Sequence, residues 1–265
     1  MSAMSATVGV AGTPFRVGSA LSRSFAVFGR GFVKFVILGA IPLLPSLGES
    51  VAISLGLASD NLSPDGSHVL RQLGFSMLAM VLYALSTAAC LSGAYHTMRG
   101  QPFSVGRSLR DGFRRFFPLV GVAIVSTLLT WLAALALLVP GAIVACALYV
   151  AVPVCVIERA GVGASLRRSR DLTRGSRWAI FGLLLFVLVL AAFVGGAVTI
   201  GMFRLGGAEN LARLATGGLT PYRLVAFLLD AIVRTFGAVV TAVVYHDLRV
   251  AKEGVDLDQI AAVFD

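Results

Sequence analysis

Three ionisable residues, Glu49, Asp230 and Arg234, stand inside long apolar runs. Asp230 and Arg234 are four apart, so on a helix they share a face and can pair. A charge at membrane depth is costly and is kept where it binds an ion, moves a proton, holds a substrate or meets a compensating charge. At about 1.5 Å of rise per residue, Asp230 and Arg234 lie about 22 and 17 Å from Tyr245, and Glu49 about 25 Å from Phe32. If the first and last runs are neighbours, the three should form one buried cluster. That cluster would pin the two helices together, hold a substrate, ion or proton, or face a partner subunit. A single Asp–Arg pair is not a proton relay, which needs several carboxylates or histidines in series; the fifth run contains none.

The second group is basic. Arg107, Arg110, Arg114 and Arg115 crowd one short segment, and Arg167, Arg168, Arg170, Arg174 and Arg177 crowd another. Beside an apolar helix such residues are candidate contacts for anionic lipid head groups. Nucleic acid is not the expected partner, because the basic residues fall between apolar runs instead of covering one face of a soluble fold. No phosphate-binding loop, nucleophile elbow or paired carboxylates in a polar setting occurs. His68, His96 and His246 are isolated, and Cys90, Cys146 and Cys155 lie inside apolar runs with no metal-ligand spacing. No cofactor, metal or enzymatic activity is therefore expected.

These residues must be positioned by membrane helices. Of 265 residues, 57% are hydrophobic and 13% charged, against about 25% charged in a soluble domain. A spanning helix needs about 20 mostly apolar residues. Six runs qualify: 32–57, 72–98, 118–139, 141–157, 178–203 and 222–245. Only Pro140 and Gly141 separate the third from the fourth, which predicts a tight helical hairpin. Of the 22 Lys and Arg residues, 17 fall in the 1–34, 99–115, 158–177 and 246–265 segments. Four fall in the intervening loops and Arg234 lies within a run. The side bearing the excess is the cytoplasmic one, so both termini are expected inside the cell. The 204–221 loop is read as containing a short surface helix at 209–214.

Val-Gly-x-(Ala/Ser)-Leu occurs three times, at Val17, Val105 and Val162, each time ahead of an outward-going run. The expected architecture is an all-α integral membrane protein of six transmembrane helices. These form three repeated hairpins (32–98, 118–157 and 178–245), each preceded by a cytoplasmic amphipathic helix (1–31, 99–117 and 158–177), and a cytoplasmic tail (246–265) follows. In the middle copy Val105, Leu109, Phe113, Phe116 and Phe117 can share a face that enters the acyl boundary. Gly195, Gly196 and Gly201, with neighbouring alanines, read as a close-packing face.

After the last run, Tyr245, Asp247, Leu248, Arg249, Lys252, Glu253, Gly254, Asp256 and Leu257 form a recognisable pattern. So do Pro153, Val156, Glu158, Ser165, Leu166, Arg168, Ser169, Leu172, Thr173, Arg174, Gly175 and Trp178. Both stretches resemble the membrane domain of bacterial glycerophosphoryl diester phosphodiesterases and stand-alone bacterial membrane proteins related to it. The resemblance implies a bacterial inner-membrane protein. It carries over no catalytic residue, because hydrolysis in the two-domain relatives belongs to a separate barrel domain. Gly254 is read as ending the sixth helix and Asp256 as capping a short one. Leu257, Ile260 and Phe264 on that helix form a candidate docking face for the protein itself, the membrane or a partner. The expected function is a non-enzymatic scaffold, accessory subunit or membrane-organising module, with lipids and a membrane-protein partner or second copy as contacts. The alternative is a small transporter or lipid-handling protein that uses the Glu49–Asp230–Arg234 cluster.

Overall fold

A computed structural model describes residues 17–57, 66–101, 105–114, 116–215 and 219–253. Among these the chain is all helical: α1 (Val17–Arg30), α2 (Phe32–Ala40), a 3₁₀ turn (Ile41–Leu43), α3 (Leu44–Ser54), α4 (Gly66–Met98), α5 (Val105–Arg114), α6 (Phe116–Ala136), α7 (Leu138–Leu148), α8 (Ala151–Ile157), α9 (Val162–Thr173), α10 (Arg177–Ala215) and α11 (Pro221–Glu253). Six stretches are long and apolar enough to cross a membrane: Phe32–Ser54, Leu70–Met98, Phe116–Leu135, Val139–Ile157, Arg177–Gly201 and Arg223–Glu253. They match the six apolar runs closely. α10 continues to Ala215, so 209–214 extends the fifth helix and is not a separate surface helix. The sixth helix runs to Glu253, two turns past Tyr245.

The first span is broken, and its prolines say why. Pro42 has no N–H to give the carbonyl of Leu38 four residues back. The chain tightens into the 3₁₀ turn, Ile41 N–H takes Leu38 O, and the Ser86 hydroxyl of α4 donates to the same oxygen. The fourth span breaks at Tyr149–Val150, between α7 and α8. There Ser169 of α9 donates to the carbonyl of Ala147 at 2.8 Å. In both breaks a hydroxyl from a neighbouring helix meets a backbone carbonyl beside the interruption, as low-dielectric surroundings require.

The core runs along α11. Val239, Val240, Val243, Val244, Tyr245 and Leu248 are buried against Phe35 and Leu38 of α2, Leu91 of α4, Val150 and Val154 at the α7–α8 break, and Ile180 and Leu183 of α10. Gly39 sets the α2–α11 register. A Cβ there would sit 2.5 Å from Thr235 Cγ2 and 2.6 Å from Ala231 O. α6 and α7 fold back on each other at Leu137, with Gly141 against Ala134.

The three Val-Gly helices do not offer their inner faces to lipid. α1 packs on α11, α5 on α4, and α9 on α6, α7 and α8. Aligned on their valines, the fourth positions are Ala20, Ser108 and Ser165, all buried. The eighth are Ser24, Gly112 and Ser169, also buried. Two small residues a turn apart let the helix lie close on its neighbour. A Cβ on Gly112 would lie 3.2 Å from Ala88 Cβ and from Leu85 O. In the middle copy Val105 and Leu109 pack into the core, and Phe113 and Phe117 point outward. The single apolar face expected from sequence is thus divided between protein and surroundings.

Candidate functional site

The intramembrane charges form two separate sites. Arg234 Nε donates to Asp230 Oδ2 at 2.6 Å, the i,i+4 pairing that the spacing predicts. The guanidinium also lies over the Tyr83 ring of α4, 5.4 Å from its centroid. Glu49 is elsewhere. It is buried, and its Oε1 lies 3.6 Å from Arg71 Nε at the start of α4, an ion contact too long for a hydrogen bond. Its charge also acts on Arg223 of α11.

The helix register explains the split. Gly39 abuts Ala231 and Thr235 on an antiparallel neighbour. Glu49 is ten residues further along, about 15 Å, which places it opposite Arg223 and away from Asp230. The sequence estimate took Phe32 and Tyr245 as level starting points, and α11 runs past Tyr245. The first and last spans are neighbours as expected, but they do not bring Glu49 to the Asp230–Arg234 pair.

The surroundings of that pair bear on what it can do. The Asp230 and Arg234 side chains are 38% and 45% exposed on the side of the bundle. The cavity that Arg234 lines with Gly39, Pro42, Tyr83 and Ser86 has a volume of about 10 Å³, about enough for one water. It offers no room for a lipid-sized or metabolite-sized substrate.

At the far end of the bundle the stretches around Glu158 and Tyr245 meet. The Tyr245 hydroxyl donates to Glu158 Oε1 at 2.8 Å. Arg168 Nε donates to the same oxygen at 3.3 Å, and the Arg168 guanidinium also pairs with Glu253. Arg249 holds the other Glu253 oxygen at 2.8 Å. Arg23 of α1 donates to Asp247 Oδ1 at 2.8 Å, and His246 Nδ1 lies 3.6 Å from that oxygen. α1, α8, α9 and α11 are thereby tied at one level, here termed the basic end. Every carboxylate in this network accepts from a cation or hydroxyl, so the network binds the helices together. Sequence reasoning named these residues only as a pattern. What it missed was that Glu158 and Tyr245, 87 apart in the chain, share a hydrogen bond.

The candidate head-group arginines separate by environment. Arg110, Arg114, Arg167, Arg170 and Arg174 are exposed, and Arg168 is committed to the network. Arg177 turns into a groove with Ile143, Cys146, Trp178 and Phe181, where its Nε is buried without a hydrogen-bond partner. The side chain of Arg107, and Arg115, Leu257, Ile260 and Phe264 altogether, lie outside the described residues, as do Gly254 and Asp256. Gly195, Gly196 and Gly201 have nothing within 4 Å of an added Cβ among the described residues, so no described helix packs closely on this face. Among the described residues no three His, Cys, Asp or Glu side chains are grouped to hold a metal.

No family model matches the chain, and no curated protein or solved structure matches it significantly.

Proposed function

We propose that this chain is a non-enzymatic membrane assembly protein, a scaffold or accessory subunit. It docks a helix of a partner membrane protein, or of a second copy, over Asp230, Arg234 and Tyr83. The observation that carries this reading is the pair's lateral exposure. Arg234 lies about 20 Å from the Pro221 end and about 28 Å from the Glu253 end of its helix at 1.5 Å per residue. That is deep within a hydrocarbon layer of about 30 Å. Charged residues at such depth face protein or water, not lipid, so a half-open ion pair on the flank is a surface awaiting cover. The one-water cavity beside it fits docking better than transport. The resemblance of the Tyr245 and Glu158 stretches to a bacterial membrane domain, and the distribution of Lys and Arg, support a bacterial inner-membrane location with both termini cytoplasmic.

The test is the double variant Asp230→Leu/Arg234→Leu. Removing both members of a pair is often neutral or stabilising, so its melting temperature in detergent should match that of the parent. Its assembly should be lost, read as disappearance of a Tyr83→Cys cross-link in native membranes and a shift to a smaller complex in mild detergent. A parent protein that is strictly monomeric in membranes and forms no such cross-link would refute the reading.

A further inference from the structure

We infer that the cleft between α4, α5 and the end of α8 binds a phosphate group, carried by a phospholipid head group or by a small phosphorylated solute. The cleft has a volume of about 310 Å³, at the lower end of the roughly 300–1,000 Å³ of small-ligand sites. Ser92, Tyr95 and His96 of α4 form one wall, Arg114 of α5 a second, and Ile157 and Arg159 a third. Two arginines, a serine, a tyrosine and a histidine thus line one cleft, and among the described residues none that lines it is acidic.

Three features together mark this cleft. First, Arg23, Arg71, Arg168, Arg234 and Arg249 each face a carboxylate. Arg114 and Arg159 face none among the described residues. Guanidinium pairs directed into a shared space are suited to phosphate, which they can hold through two parallel hydrogen bonds. Second, Arg159 has φ 56°, the one non-glycine residue with positive φ among those described. Arg159 follows the Glu158 cap of α8, a position that commonly takes this conformation and is usually glycine, so an arginine there is held at a cost. Third, supporting contacts set the wall. His96 Nδ1 lies 2.7 Å from Gln101 Oε1, which fixes its ring; with Nδ1 donating, Nε2 donates to a phosphate only in the protonated imidazolium. Arg99 lies over the Tyr95 ring at 4.6 Å, adding positive charge beside the hydroxyl.

The depth is right for both sources. Tyr95 and His96 lie just inside Met98, the end of the second span, and Ile157 ends the fourth. The cleft therefore opens where head groups lie and where aqueous solutes reach. This inference is independent of the docking surface on the flank of α11.

The experiment uses the full chain in neutral detergent. Native mass spectrometry measures retention of phosphatidylglycerol against phosphatidylcholine, and calorimetry measures binding of inorganic phosphate and glycerol 3-phosphate. Arg114→Gln and Arg159→Gly should each weaken binding about fivefold, the effect of one basic residue near an anionic group. Arg159→Lys should restore part of it. Glycine accepts a φ of 56°, so Arg159→Gly tests the cation without straining the turn. Arg170→Gln/Arg174→Gln removes two exposed charges of α9 and should leave binding unchanged. Retention of phosphatidylglycerol alone identifies a head-group site, and binding of the soluble phosphates identifies a solute site. Absence of both, or an equal loss in the α9 variant, overturns the inference.

Discussion

At the residue scale, position matters more than residue type. The chain has 29 glycines, and few of them are required by contact. Gly39 is one, because its missing Cβ allows α2 to touch α11. Gly39→Val should cost about 1–3 kcal/mol, the range for overpacking a filled interior, and should lower the melting temperature in detergent. Gly195→Ala has open space and should leave it unchanged or raise it, since alanine favours a helix by up to about 1 kcal/mol. If both variants behave alike, the contact at Gly39 is not the register key. The charged residues teach the same lesson. Asp230 with Arg234 was readable because four residues on one helix fix the geometry. Glu49 was misplaced because its partner depends on how two helices slide past one another, and Gly39, the residue that sets this, has no distinctive signature in sequence.

At the element scale, the spans were legible and the docking of the basic helices was not. An apolar run near 20 residues has few alternatives to crossing the bilayer. A short helix with one apolar face can lie on lipid or on protein, and periodicity is the same for both. The deciding signal was the pair of small residues at the fourth and eighth positions of each Val-Gly copy, not the conspicuous Val-Gly itself. Gly18, Gly106 and Gly163 have nothing near an added Cβ. Ser108→Leu and Ser165→Leu should therefore each release a basic helix, seen as new protease cleavage within α5 or α9. Gly106→Ala and Gly163→Ala should leave the digestion pattern unchanged. Cleavage of all four variants alike would show that the serines are not the docking contacts. The basic-end network was half legible for a related reason: all but Arg23 and His246 stood in two patterned stretches, and only the fold places Glu158 beside Tyr245.

At the scale of the whole molecule, each basic helix leans on a returning span. α5 uses the second and α9 the fourth, both already made when they emerge. α1 uses the sixth, which is made after the other five spans. Arg23 and Asp247 are 224 positions apart. At a synthesis rate of roughly 5–20 residues per second, the first helix waits about 11–45 s for its seat. During that interval the face of α1 that carries Ala20, Ser24 and Val27 lacks its main cover, α11. A chain halted before Pro221 should expose α1 to protease while α5 and α9 stay protected; equal protection of all three would mean that α1 finds another berth. The first helix is thus seated only once the sixth is made, and a chaperone or insertase that shelters the nascent α1 segment would govern how much protein is completed.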